Sequence, residues 1–315
     1  MKPLSHQRKR LRSRTRDRAA ELDQVAAIVH RLAVLLAAGV TPAAAWEYLG
    51  RDGAAVTRAR HAGLGVPDAI RASFAGGEHA QAWAGVATVW DVATHTGAPL
   101  ASTLREQAAS LRGAAAVERE VATALAGPTS TARIVLALPV LGILFGAALG
   151  FDSPRILFTT SAGIGCLLVG IVLVVFALAW IRSLVRAARR RDANPGLRLD
   201  LMAIAVSGGS SLDRAARAVD AALEASGISV TADRGQVDEI LDLASRAGVP
   251  AAELLRSQAQ EVRRAAASSA QRRAAILAVR LVLPLGVCIL PAFMALGVVP
   301  LLIAVISSTA LGFSS

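Results

Sequence analysis

The chain has 315 residues, 54% of them hydrophobic and only 18% charged, with a mean hydropathy of +0.50. Soluble domains run at about 45–50% apolar and about 25% charged, so the composition argues against a water-soluble globule and against intrinsic disorder. The 34 Lys+Arg exceed the 23 Asp+Glu by +11, and that charge must lie in water, which predicts a membrane protein with its polar mass on one side of the bilayer. Two cysteines, Cys166 and Cys288, exclude a disulfide framework and a multi-cysteine zinc module.

Residues 1–21 form a basic arm. Met1 to Arg18 carries Lys2, Lys9 and six arginines against Asp17, net +7, with no apolar run behind it, so no cleaved signal is expected. Two readings fit the arm: a solvated tail that sets topology, or a patch for anionic lipid headgroups or an acidic partner. No aromatic residue is interleaved with the arginines, and nucleic acid is not an expected partner.

Residues 22–133 read as a first helical bundle. Leu22, Val25, Ile28, Val29, Leu32, Leu35 and Leu36 recur at three-and-four spacing, predicting a helix from Leu22 to Ala38. Gly39 suits the helix end, and Thr41-Pro42 restarts the chain as N-cap and first helical residue. Gly97 stops a later helix, and Pro99 opens a long one that leads into the next segment.

Residues 134–181 read as a transmembrane hairpin. Ile134 to Phe151 is 18 residues without a charge, and Ile156 to Ile181 is 26. A hydrocarbon core of about 30 Å needs about 20 helical residues, so the first run is short but adequate and the second spans with room for tilt. Asp152-Ser-Pro-Arg155 is a tight connection that returns both outer ends to one side. Gly142, Gly146 and Gly150 give the first span a smooth groove for close helix approach. That groove suits the hairpin partner, the third apolar region or a second protomer.

Residues 182–280 read as a basic linker followed by a second bundle, and here the chain resembles itself. Gly209 aligns with Gly39, Ser211 with Thr41 and Ala215 with Ala45. Gly97-Ala-Pro-Leu-Ala-Ser-Thr-Leu-Arg-Glu-Gln-Ala108 matches Gly248-Val-Pro-Ala-Ala-Glu-Leu-Leu-Arg-Ser-Gln-Ala259 at a constant offset of 151, pairing Pro99 with Pro250. The spacing differs, 58 residues from Gly39 to Gly97 but 39 from Gly209 to Gly248, which assigns 19 extra residues to the first copy, within Arg51 to Gly77. Ser211 is expected to cap as Thr41 does. Each copy yields about four helices, enough for a small antiparallel bundle, and no alternating β-branched run interrupts them.

Residues 281–315 are a C-terminal transmembrane region, 35 residues without a charge and with Pro284, Pro291 and Pro300. A kinked span with an interfacial tail and a tight re-entrant pair both fit, so the expectation is an all-α membrane protein with three spans, a fourth left open. Arginines crowd the ends of the runs at Arg133, at Arg182 to Arg191 and at Arg263 to Arg280, which places those ends, and both bundles, in the cytoplasm.

No catalytic signature is present: no phosphate-binding loop, H-E-x-x-H, G-x-S-x-G or C-x-x-C. The five histidines are scattered without metal-ligand spacing, and no enzyme activity, metal or cofactor is expected. Asp238, Glu239, Asp242 and Glu253 sit near helix starts, where the dipole favours them, or face a basic partner. A transporter or proton relay requires ionisable residues within its spans, and the apolar runs hold none.

The order of bundle, span pair, related bundle and terminal span accompanies Leu35-Leu-Ala-Ala-Gly-Val-Thr-Pro-Ala-Ala-Ala-Trp46 and Ala244-Ser-Arg-Ala-Gly-Val-Pro-Ala-Ala-Glu-Leu-Leu255. Together they resemble the type II secretion system F family, and Leu283 to Pro300 is similar to its tight-adherence (Tad/Flp) pilus branch. The resemblance runs from about Leu22 onward and implies an inner-membrane platform protein for assembling pili or pseudopili. It implies a cytoplasmic secretion ATPase, pilin subunits and a second or sister platform subunit as partners, within membrane lipid. The glycine, proline and hydroxyl positions (Gly39, Thr41, Gly97, Pro99, Gly209, Ser211, Gly248, Pro250) match the family pattern and read as structural turns. Two other classes stay open on the residues alone: a transporter or channel subunit, and a membrane-anchored helical scaffold unrelated to pili.

Overall fold

The computed structural model describes residues 4–77, 79–124, 141, 160–188, 195–228, 234–300 and 302. Among them all regular structure is helical, as the absence of β patterning predicts, and no strand occurs. The chain divides into two compact units: unit 1 holds Met1–Glu120 and Asp192–Ser269, unit 2 holds Val121–Arg191 and Ala270–Ser315.

Unit 1 opens on α1, Leu4–Ala37, which begins well before the expected Leu22. Between Leu4 and Ala37 there is no Gly or Pro, and Arg, Leu and Gln are strong helix formers, so nothing interrupts the helix as it runs through the basic arm. α2 (Pro42–Tyr48), a single 3-10 turn (Gly50–Asp52), α3 (Ala54–His61) and α4 (Val66–Phe74) follow. α5 (Ala80–Thr96) and α6 (Leu100–Ala124) complete the first copy. The second copy is shorter: α8 (Leu197–Ser207), α9 (Leu212–Ala225), α10 (Arg234–Ala247) and α11 (Ala251–Arg280). α7, Ser161–Ala188, lies between the copies in sequence and belongs to unit 2.

The 19 residues that the first copy has in excess fall where α3 and α4 now stand. α4 is amphipathic and buries Ala69 and Ile70 against α5. Arg71, on the same helix, is largely buried and ion-paired to Asp68 and Asp91 at 2.7 Å each. Its Nε donates to Ser226 Oγ, just past the end of α9, at 3.1 Å, so the insertion is tied to the second copy as well as to its own.

The two copies, expected as two bundles, share one continuous cluster of buried side chains. Leu32, Trp46 and Trp90 from the first copy join Leu201, Val219 and Leu255 from the second. The reason lies in α5 and α8. α8 carries apolar residues on every side, with Leu199, Leu201, Met202, Ala203 and Ile204 all buried, and α5 buries residues from Trp83 to Thr96 on more than one face. A helix with apolar side chains in every direction must be covered on every side, and each of these two packs against the other. Trp46 sits fully buried with its ring 6.1 Å from Trp83 and 6.0 Å from Trp90, while Phe74 stacks on Trp83 at 4.2 Å.

Unit 2 contains α7 and a C-terminal helical segment in which α-helical turns Val282–Pro284 and Leu290–Phe293 alternate with π turns Leu285–Ile289 and Met294–Val298. Pro291 cannot donate to the carbonyl four residues back, and a widened i→i+5 turn on either side lets the helix pass the ring without breaking. Among the described residues two helices are long and apolar enough to cross a membrane, Gly163–Leu184 and the run Ala251–Val298. Of the first apolar run, 134–151, the described residues include Leu141 alone.

Candidate functional site

The sequence singled out the glycine-centred turns of the two copies, and the structure places them at corresponding helix boundaries. α5 ends at Thr96 and α10 at Ala247, and α6 begins at Leu100 and α11 at Ala251, each pair 151 apart like the motif itself. Gly97 and Gly248 take φ of 75° and 66°, and Gly39 and Gly209 take 88° and 81°. Only glycine enters that left-handed region without cost. After Gly97 the amide of Ala98 donates to Ala93 O at 3.0 Å, and after Gly248 that of Val249 donates to Ala244 O at 3.2 Å: the same wrapped helix end, made twice. Pro99 and Pro250 then open the next helix, their carbonyls accepting from the amides of Thr103 and Leu254 at 3.2 and 3.4 Å.

The N-terminal turns differ. Thr41 and Ser211 share an extended backbone, φ −65° ψ 150° and φ −62° ψ 152°. Thr41 Oγ1 accepts from the Ala44 amide at 3.4 Å, whereas the Ser211 hydroxyl makes no capping bond to α9.

The copies meet at one of these turns. Gly208 packs so closely on the first copy's Gly97 turn that a methyl on it would lie 2.9 Å from the Ala98 nitrogen, with the Thr96 carbonyl oxygen closer still. The sequence offered the doublet Gly208-Gly209 only as part of a turn. What it could not offer was the backbone on the other side.

Charged side chains are gathered around the start of α8. Arg198, buried, pairs with Asp220 of α9, and Asp200 pairs with Arg263 of α11. Arg256, about two turns back along the same face of α11, lies 3.5 Å from Glu106 of α6. Burial raises the Asp200 carboxyl to about 6, and the nearby Glu106 charge adds to the rise while Arg263 and Arg256 oppose it. Desolvation wins because the carboxylate loses more hydration than one guanidinium returns. This polar knot ties α6, α8, α9 and α11 together, and its partners lie far apart in sequence, which is why composition and spacing did not single it out.

In unit 2 the described part of α7 carries an apolar surface with little cover: Leu168, Val169, Val172, Val175 and Phe176 are exposed. α7 packs on the C-terminal segment through Ala177, Cys288 and Ile289, with Trp180 beside them. Gly170 receives Leu296, whose Cδ1 would lie 2.8 Å from a methyl at that position. Gly170 is a close-packing glycine that sequence reasoning passed over, while Gly142, Gly146 and Gly150 lie outside the described residues. Cys166 and Cys288 are free thiols.

Among the described residues no three His, Cys, Asp or Glu side chains group as metal ligands. An open groove is lined by Glu47, Gly50, Ala54, Thr57 and Arg58, and it holds neither a histidine nor a cysteine. No protein-family model, no curated protein and no solved structure matches the chain.

Proposed function

We propose that the chain is an inner-membrane platform protein of a type II secretion or Tad/Flp-type pilus machine, a non-catalytic part that couples a cytoplasmic secretion ATPase to pilin subunits in the membrane. The observation that carries the reading is the repeated junction at Gly97-x-Pro99 and Gly248-x-Pro250. In both copies it launches a long helix, α6 or α11, that continues without a break past the end of unit 1, at Glu120 and at Ser269. A long unbroken helix carries a rigid-body displacement where a loop would absorb it. The apolar, charge-free faces of α7 and of the C-terminal segment suit contact with apolar pilin helices better than passage of ions. The basic ends of those segments favour a multi-pass arrangement with both copies in the cytoplasm, three spans with a fourth left open, and a platform assembled from two or more copies or with a sister subunit.

The test is co-purification. Full-length protein in mild detergent is expected to retain a secretion ATPase encoded beside it, and deletion of its gene is expected to abolish piliation. An unbound ATPase together with unchanged piliation would overturn the proposal. Labelling from outside the cell that reached Glu47 or Glu253 would overturn the cytoplasmic placement.

A further inference from the structure

Within unit 2, α7 and the C-terminal segment run antiparallel. Gly170 meets Leu296, and Ala177 meets Cys288 and Ile289, so a step forward along one helix is a step back along the other. Extending that register brings Arg182 level with about residue 284 and Arg186 level with about residue 280. Arg280 and Arg182 therefore stand at one end of the pair, both exposed, and Arg272 and Arg273 are exposed on α11 about two turns further out.

The depth of that end follows from the length of α7. Ser161 to Trp180 is 20 uncharged residues, about 30 Å of helix, which equals the hydrocarbon thickness of a bilayer of about 30 Å. Trp180, half-buried and in edge contact with Phe176 at 5.9 Å, then lies at the interface where amphipathic rings settle. Arg182 stands about 3 Å beyond it and the Arg186–Arg280 level about 9 Å beyond, within the headgroup layer. Arg272 and Arg273 lie about a Debye length further, about 10 Å at 0.1 M salt. The chain of unit 2 holds one acidic residue, Asp152, against Arg133, Arg155, the five arginines from Arg182 to Arg191 and the three from Arg272 to Arg280.

We infer that Arg182, Arg272, Arg273 and Arg280 form a collar that selects anionic phospholipid, gripping its phosphodiester headgroup at the foot of the α7–C-terminal pair, so that the protein gathers phosphatidylglycerol-type lipid around itself. Guanidinium groups bind phosphate oxygens in a bidentate fork, and an arginine near an anionic leaflet gains from its surface potential as well. The inference rests on the membrane placement proposed above and is independent of the pilus role.

The experiment reconstitutes the full chain in nanodiscs of phosphatidylcholine alone and of phosphatidylcholine with phosphatidylglycerol. Lipid that stays bound after detergent extraction is then counted by native mass spectrometry. The expected result is insertion into both discs, with phosphatidylglycerol retained at least about tenfold over phosphatidylcholine. R182Q/R272Q/R280Q should lose that preference, R182K/R272K/R280K should keep most of it, and inorganic phosphate should fail to compete. Equal retention of the two lipids by inserted protein would overturn the lipid inference and leave the membrane placement standing. Displacement by inorganic phosphate would replace it with a soluble-anion site, and failure to insert into either disc would overturn both.

Discussion

The two copies are built from the same turns and yet do different work in the core. At the offset of 170 that pairs Gly39 with Gly209, Trp46 corresponds to Ala216, Ala38 to Gly208, Ile28 to Arg198 and His30 to Asp200. The first copy supplies aromatic volume through Trp46, Trp83 and Trp90; the second supplies a bare backbone at Gly208 and the buried charges of α8. Duplicated sequence is thus preserved where it ends and starts helices. It has diverged where one copy packs against the other, because a shared core needs complementary faces and two identical faces are not complementary.

Breaking the aromatic side should have the largest effect. Trp46→Ala removes a fully buried ring from the centre of the cluster and should lower unfolding stability in detergent by about 3–5 kcal/mol, whereas Ala216→Gly, at the matching half-buried site, should cost about 1 kcal/mol. Next comes the close turn. Gly208→Ala forces a methyl against the Thr96 and Ala98 backbone and should cost about 2–3 kcal/mol, while Ala38→Gly should change stability by less than about 1 kcal/mol. Equal effects at the two positions would show that the turns are equivalent after all.

The charged side of the comparison is tested by pH. The Asp200 carboxyl titrates near 6 when folded against 3.8 ordinarily, so between those values the folded chain binds the extra proton. Its contribution therefore favours folding as pH falls through 6 toward 4 and is lost as pH rises. Denaturation of wild type and Asp200→Asn across that range should show wild type gaining on the variant as acid is added. Wild type losing ground to the variant over that range would mean instead that the Arg263 pairing outweighs burial. The smallest difference lies at the caps: Thr41→Ala should cost about 0.5–1 kcal/mol, and Ser211→Ala, with no capping bond to lose, should be close to neutral in the same melts.

Much of the architecture was legible beforehand because it is local. The Leu22 to Leu36 periodicity lies on one helix, the Gly-x-Pro punctuation marks helix boundaries in both copies, and the excess residues of the first copy fold as α3 and α4 within Arg51 to Gly77. The basic arm was harder. Its arginines read as a tail because they lack an apolar face, yet an unbroken run of helix formers joined to a packed helix extends α1 back to Leu4. Gly170 escaped notice for the opposite reason: a single glycine in an apolar helix carries no signal until Leu296 is found seated on it.

The order of residues alone determined that the chain is helical, that it repeats, and where its uncharged segments lie, since those properties depend on neighbours three, four or a few tens of positions apart. Tertiary structure decided that the copies share one interior, that Gly208 rather than Ala38 meets the partner turn, and that Asp200 is held among arginines away from water. Each of those outcomes depends on distances between groups remote in sequence, and a carboxylate's proton affinity or a methyl's clash has no value until those distances exist.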